Sequence, residues 1–238
     1  MREVVFDTET TGLDPRSDRI IEVGCVEIVN LMRTGKTYST RIDPERPVSD
    51  DTTRITGITD ADLRGRPRFL DVVKPLLDFI GEAQLVAHNA SFDRGFLNAE
   101  LARLDHPQLS ADRFVDSADL ARKQKPGAPA SLDAVCRRFS ERICEAFGVS
   151  SWEKARPRHG ALLDAELLAV CYLELRGGRE RAFDFAGLSA DGKDAQVACA
   201  RPRRPQPLPS LVTMDERSAW EAFVATLGDA ALWRKYAS

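Results

Sequence analysis

The sequence predicts an α/β fold: a mixed five-stranded sheet flanked by helices, followed by a flexible C-terminal tail. Three observations predict it. Short apolar runs rich in β-branched residues crowd the N-terminal part, helical spacing alternates with short apolar runs from Phe69 onward, and the composition changes character after Arg176-Gly177-Gly178. The chain has 238 residues and is 43% hydrophobic. That suffices for one compact domain with an appendage.

Glu3 to Glu9 reads as a buried strand, rich in Val and Phe. Gly12-Leu13-Asp14-Pro15 supplies the turn into a second strand, Arg19 to Ile28, where Ile20, Ile21, Val23, Cys25, Val26 and Ile28 are apolar. Lys36 to Ile42 is a third, stopped by Asp43-Pro44. Connections this short favour an antiparallel meander. Phe69, Val72, Val73, Leu76, Leu77 and Ile80 then keep helical spacing on one face, with Pro75 placed to kink it. Leu85 to Asn89 is a short buried strand, and Ser91 is positioned to cap a helix running to about Leu104. Arg113 to Asp116 reads as the fifth strand. Ser131 to Phe139 and Ala161 to Leu175 read as helices, the second with the apolar stripe Leu163, Leu167, Leu168, Cys171 and Leu175. A meander followed by alternating helix and strand argues for a sheet covered by helices.

Cys136-Arg137-Arg138-Phe139 is echoed by Cys144-Glu145-Ala146-Phe147. A local duplication that lengthens the loop before His159 and plain chance both account for the two shared identities. Asp184 to Ser210 holds Gly, Ala, Asp and the run Arg201-Pro202-Arg203-Arg204-Pro205-Gln206-Pro207-Leu208-Pro209, the composition of a linker with polyproline II character. Asp215 to Tyr236 is amphipathic again, through Trp220, Phe223, Val224, Leu227, Leu232 and Trp233. A short apolar helix beyond a linker has no core of its own, so it is expected to dock onto another protein. The expected domains are therefore 1–178, a flexible linker over 179–210 and a docking segment over 211–238.

The formal charge is −3. A protein that held nucleic acid by charge alone would be basic. If this chain handles nucleic acid, it grips locally, with metal ions supplying positive charge. Five cysteines, Cys25, Cys136, Cys144, Cys171 and Cys199, lie scattered without a Cys-x-x-Cys. Reduced thiols in a cytoplasmic protein are expected, not a disulfide frame or zinc site. No apolar h-region follows Met1 and no run of 18 apolar residues occurs, so neither a secretory signal nor a membrane span is expected.

Three segments carry chemistry: Phe6-Asp7-Thr8-Glu9-Thr10-Thr11-Gly12, His88-Asn89-Ala90-Ser91-Phe92-Asp93 and His159-Gly160-Ala161-Leu162-Leu163-Asp164. Asp7 and Glu9 are two apart on a strand, so both point to one face, where they repel unless a cation lies between them. Asp93 falls in the first turn of a helix, a place an acid also takes for the macrodipole alone. Beside the Asp7/Glu9 pair, a ligand role is the better reading. His159 sits on the approach to a helix that holds Asp164, and the preceding Arg156, Pro157 and Arg158 argue for exposure, which suits a base that must reach water. His88 reads as a structural strand-end residue and His106 as a surface one. Four carboxylates and an imidazole suit two hard divalent cations plus a general base, a combination that cleaves phosphodiesters.

Together these segments resemble the three exonuclease motifs of the DEDDh family. The whole chain, tail included, is similar to its proofreading branch, the epsilon subunits of bacterial DNA polymerase III. The resemblance implies a ribonuclease H-like fold and 3′→5′ exonuclease activity on single-stranded DNA 3′ ends. It implies that Asp7, Glu9, Asp93 and Asp164 hold two Mg²⁺ or Mn²⁺ ions and that His159 takes the proton of the attacking water. Thr10, Thr11 and Leu13 would bind the terminal nucleotide beside Asp7, Glu9, His159 and Asp164, and Phe92 would meet its sugar or base. Thr56, in Ile55-Thr56-Gly57-Ile58, stands where many relatives carry histidine. The stretch from Ser131 to His159 is longer than the family pattern. Glu180-Arg181-Ala182-Phe183-Asp184-Phe185 resembles a sliding-clamp-binding peptide, with Glu180 in place of glutamine and Phe183 and Phe185 as its aromatics. A disordered exit with two stray aromatics is the competing reading. The tail, through Trp220, Phe223, Leu227 and Trp233, resembles the segment that binds the polymerase alpha subunit. A small theta-like stabilising subunit is a further expected class of partner. Two rivals stand beside this reading: an RNA-trimming member of the family, and a non-catalytic binding module on the same fold.

Overall fold

The computed structural model describes residues 1–177 and 212–227. The N-terminal residues open with three strands, β1 (Arg2–Thr10), β2 (Ile20–Val29) and β3 (Met32–Arg41). Helices α1 (Asp50–Thr56), α2 (Asp60–Leu63) and α3 (Phe69–Ile80) precede β4 (Gln84–Ala87) and α4 (Ala90–Arg103). Strand β5 (Phe114–Asp116) leads into α5 (Ser117–Gln124), α6 (Leu132–Arg138), α7 (Ser140–Phe147), α8 (Trp152–Ala155) and α9 (Ala161–Leu175).

The sheet order is β3-β2-β1-β4-β5. β1 runs antiparallel to β2 and parallel to β4, while β2–β3 is antiparallel and β4–β5 parallel. This is the expected mixed sheet. Strand β3 begins at Met32, earlier than Lys36, because Asn30 and Leu31 both take positive φ (51° and 61°) and close a two-residue hairpin. That geometry suits the right-handed twist of the strands, but Asn-Leu lacks the glycine that usually announces it.

Alternation along β1 divides the core. Val4 and Phe6 pack with Phe69, Val72, Leu76, Phe96 and Leu97 beneath α3 and α4. Val5 faces the other way, with Val26, Ile28 and Val86, against Ala165, Leu168, Ala169 and Tyr172 of α9. Asp7 and Glu9 continue the α9 side, and Thr8 the α4 side. Gly24, opposite Asp7 on β2, lets α9 cross close to the sheet: a Cβ there would lie 2.2 Å from the Ala161 carbonyl carbon. Only glycine permits so near a backbone.

Three expectations are corrected. The stretch between residues 136 and 158 is not a long loop: α6, α7 and α8 form a helical layer whose Val135, Cys136, Ile143 and Trp152 pack with Leu167 and Cys171 on the outer side of α9. The stripe residues Leu163, Leu167, Cys171 and Leu175 meet this layer, whereas the sheet side of α9 uses the smaller Ala165 and Ala169 beside Leu168 and Tyr172. Ser91 does not cap α4. The cap position is Asn89, in the left-handed region (φ 64°, ψ 53°), and the first N–H groups go to Asp116. Pro75 lies inside α3 on an exposed position, and the helix runs through it from Phe69 to Ile80.

Among residues 212–227, α10 (Met214–Thr226) begins in a capping box between Thr213 and Glu216. Trp220, Phe223 and Leu227 are exposed. Glu180, Phe183, Phe185, Trp233 and the expected linker over 179–210 lie outside the described residues, as do the remaining positions of 211–238. Among the described residues no helix is long and apolar enough to cross a membrane, and Cys25, Cys136, Cys144 and Cys171 are free thiols.

Candidate active site

The three sequence segments converge at one end of the sheet. Asp7 and Glu9 sit half-buried at the end of β1, where a β-bulge at Glu9/Thr10 closes the pairing with β2. Asp93 lies in the first turn of α4, and Asp164 in the first turn of α9; both are 3% exposed. Thr8 donates its backbone N–H (3.0 Å) and its hydroxyl (2.7 Å) to Asp93 Oδ1, so the intervening strand residue fixes the third acid. Asp116, at the end of β5, accepts from the N–H groups of Asn89 (3.0 Å) and Ala90 (3.2 Å) and sets where α4 starts.

Four acids this close oppose one another's ionisation. Burial first, then the charges of Asp93, Asp164 and Glu9, push Asp7 well above the usual carboxyl range. Burial and the Asp164 charge raise Glu9 to about 8. Asp93 rises to about 7 through burial, although the Thr8 hydrogen bonds pull it down. Such a cluster calls for a cation, and an all-oxygen donor set suits a hard divalent one. Glu9, His159 and Asp164 bring ligand atoms within 4.8 Å of one another.

His159 is 43% exposed by side chain, as expected, with Nδ1 3.6 Å from Asp164 Oδ2. Arg156 is not exposed: its side chain is only 7% accessible. Its Nε donates to Asp164 Oδ1 (2.6 Å), and Nη2 pairs with Asp164 Oδ2 and lies 2.9 Å from His159 Nδ1. A guanidinium can only donate, so Nδ1 accepts. On its far side Arg156 pairs with Asp133 of α6. The guanidinium thus supplies positive charge to the acid cluster in this structure, a role that no linear spacing signals.

The expected nucleotide contacts divide. Leu13 is 84% exposed on the turn after β1. Thr10 and Thr11 are buried, and their hydroxyls hold that turn, donating to Gly12 O (2.6 Å) and Asp18 Oδ1 (3.0 Å). Thr56 is buried; its hydroxyl donates to Thr52 O and accepts from Ile58 N–H, so it secures the end of α1. It nevertheless lines a cavity of about 340 Å³ with His159, Glu22 and Arg41. Phe92 is half-buried against Phe96, ring centroids 4.8 Å apart. His88 is structural, bonded to Ser117 Oγ and Ala130 O, and His106 is exposed.

Residues 4–172 match the exonuclease (RNase_T) family. DNA polymerase III subunit epsilon of Rickettsia felis is 40% identical over 195 residues, covering 80% of this chain and 81% of the relative. The epsilon subunit of Salmonella typhimurium is 40% identical over 186 residues, covering 75% and 72%. Among solved structures, exonuclease X with 5′-overhanging duplex DNA aligns at a TM-score of 0.52 and 24% identity, covering 72% of this chain and 89% of that one. The nuclease domain of 3′hExo, a DEDDh family member bound to rAMP, aligns at 0.54 and 17% identity, covering 74% and 90%. These two establish the ribonuclease H-like fold. The family match and the shared sequence establish the rest: the chain belongs to the DNA polymerase III epsilon family of proofreading 3′→5′ exonucleases.

Proposed function

We propose that this exonuclease hydrolyses the terminal phosphodiester of a single-stranded DNA 3′ end, releasing nucleoside 5′-monophosphates, at the cluster of Asp7, Glu9, Asp93, Asp164 and His159. The observation that carries this reading is the convergence of four mutually repelling carboxylates beside one solvent-facing imidazole. The exonuclease family is dependent on divalent metal, and here the four acids would hold two ions, Mg²⁺ or Mn²⁺. When bound, the ions supply positive charge against the phosphate and acidify water. His159, half in solvent beside the acids, takes the proton of the attacking water. Leu13 offers the terminal base an apolar contact, Phe92 flanks it, and Thr10, Thr11 and Thr56 shape the walls.

Specificity for a mispaired end needs no reading of bases, because unstacking costs less at a mismatch. The polymerase supplies the rest by holding the substrate nearby, a tether that raises local concentration without new contacts. We assign polymerase alpha-subunit binding to 211–238, with Trp220, Phe223, Leu227 and Trp233 as anchors. Clamp binding falls to Glu180, Phe183 and Phe185 across the 179–210 linker, and a theta-like subunit is a further candidate partner. Free thiols fit a cytoplasmic enzyme.

The test is digestion of a 3′-labelled mismatched primer with Mg²⁺, with and without chelator, beside an RNA primer of the same sequence. Stepwise 3′ shortening of DNA that chelator abolishes is expected. Preference for RNA would support the RNA-trimming rival, and absence of any metal-dependent digestion the binding-module rival.

A further inference from the structure

We propose that Glu22 is a positioning residue, holding the His159 loop against the sheet. The inference rests on His159 as the proton acceptor. Glu22 lies on β2 directly across from Glu9 and, on its other side, across from Arg41 of β3. Its side chain is 12% exposed. Oε2 accepts the backbone N–H of Ala161 at 2.9 Å, the first residue of α9 and two residues after His159. Oε1 accepts from Arg41 Nε at 3.2 Å.

Both carboxylate oxygens of Glu22 are therefore engaged by donors from neighbouring elements, one of them a backbone N–H of α9. The N–H it engages is one of the orphan donors at a helix start, where a carboxylate is also favoured by the helix dipole. Gly160, between His159 and Ala161, lies against the same carboxylate: a Cβ there would make ordinary contact with Glu22 Oε2 at 3.5 Å. Gly24, two positions further along β2, brings the Ala161–Leu162 peptide down onto the strand. The loop carrying His159 is thus anchored at its C-terminal end by one half-buried carboxylate. Asp164 lies a turn further into α9, where packing of the helix on the sheet holds it without Glu22.

The test measures full-length wild type, Glu22→Ala, Glu22→Gln, His159→Ala and the His159→Ala/Glu22→Ala double variant on 3′-labelled single-stranded DNA. Mn²⁺ affinity is read by calorimetry and the fold by melting temperature. Misplacing a reacting group by about 1 Å can cost about 10²-fold. Glu22→Ala is expected to lose kcat by that order, with KM and Mn²⁺ affinity within about threefold of wild type. Glu22→Gln, whose Oε1 still accepts from Ala161, restores most of the rate. In the double variant Glu22→Ala adds no further loss, since the group it positions is gone. A wild-type kcat for Glu22→Ala, or losses that multiply in the double variant, overturns the proposal. If Glu22→Ala does not fold, Glu22→Asp, which withdraws the carboxylate by one methylene, decides by the same kcat criterion. His159→Ala at the wild-type rate would sink the reading of the base, a different result from any failure of Glu22.

Discussion

The acids and the imidazole of this site are built differently. Asp7 and Glu9 stand on a central strand, and Asp93 and Asp164 in the first turns of helices packed on opposite faces of that sheet. His159 stands on the short stretch between α8 and α9, half in solvent. Groups that would share ions at fixed separations are placed on rigid elements. A group that would exchange protons with water is placed where water reaches it, with Arg156 on its ring nitrogen and Glu22 on the helix start two residues on.

Removing an acid is the strongest way to break this comparison. Asp7→Asn is expected to lose more activity than the ~10²–10⁴-fold typical of a lost general base, because ion occupancy itself fails. Calorimetry should find Mn²⁺ binding weakened together with the rate. An Asp7→Asn enzyme that binds Mn²⁺ normally would show that the acids are not its ligands. His159→Ala comes next, with a loss of ~10²–10⁴-fold and Mn²⁺ binding retained; a wild-type rate on single-stranded DNA refutes its role.

A third test addresses stability rather than rate. Glu9 rises from 4.5 to about 8 and Asp93 from 3.8 to about 7 in the folded chain. Carboxyls raised on folding stabilise the fold while protonated, and that contribution fades as pH climbs from about 4 to about 8. With chelator present, the melting temperature should therefore fall across this window. Saturating Mn²⁺ should flatten the slope, because ions that bind only the folded chain stabilise its ionised acids. A chelated protein with no such slope would mean that the acids are relieved by something else, with the Arg156 guanidinium the first suspect.

The smallest effect on the isolated enzyme is expected from deleting 209–238. The N-terminal residues hold their own core, so exonuclease activity should stay within about threefold of the full chain. Co-elution with the polymerase subunit should be lost, and its retention would remove the docking role from this segment.

The sheet and the long helices are legible in the sequence because each carries a periodic apolar pattern. Helix α5 is not, since Ser117-Ala118-Asp119-Leu120-Ala121-Arg122-Lys123-Gln124 buries little beyond two alanines and Ser117. Helices α1 and α2 are short and mostly polar, formed by caps rather than stripes. The five motif residues are legible because acids and histidine in tight segments have few other uses. Arg156 reads as solvated in the sequence, being a charged residue beside a proline, whereas in the fold Asp164 and Asp133 flank it. Asp116 and Glu22 act on backbone N–H groups 26 and 139 positions away, which no local pattern encodes.

The bare Cα of Gly24 works as a caliper. It stands opposite Asp7, while the peptide passing over it belongs to the helix that carries Asp164. The width of the gap between the two halves of the acidic cluster is therefore gauged by one missing methyl. Gly24→Ala would prise that jaw open and mistune ion spacing while every acid stayed in its chain position.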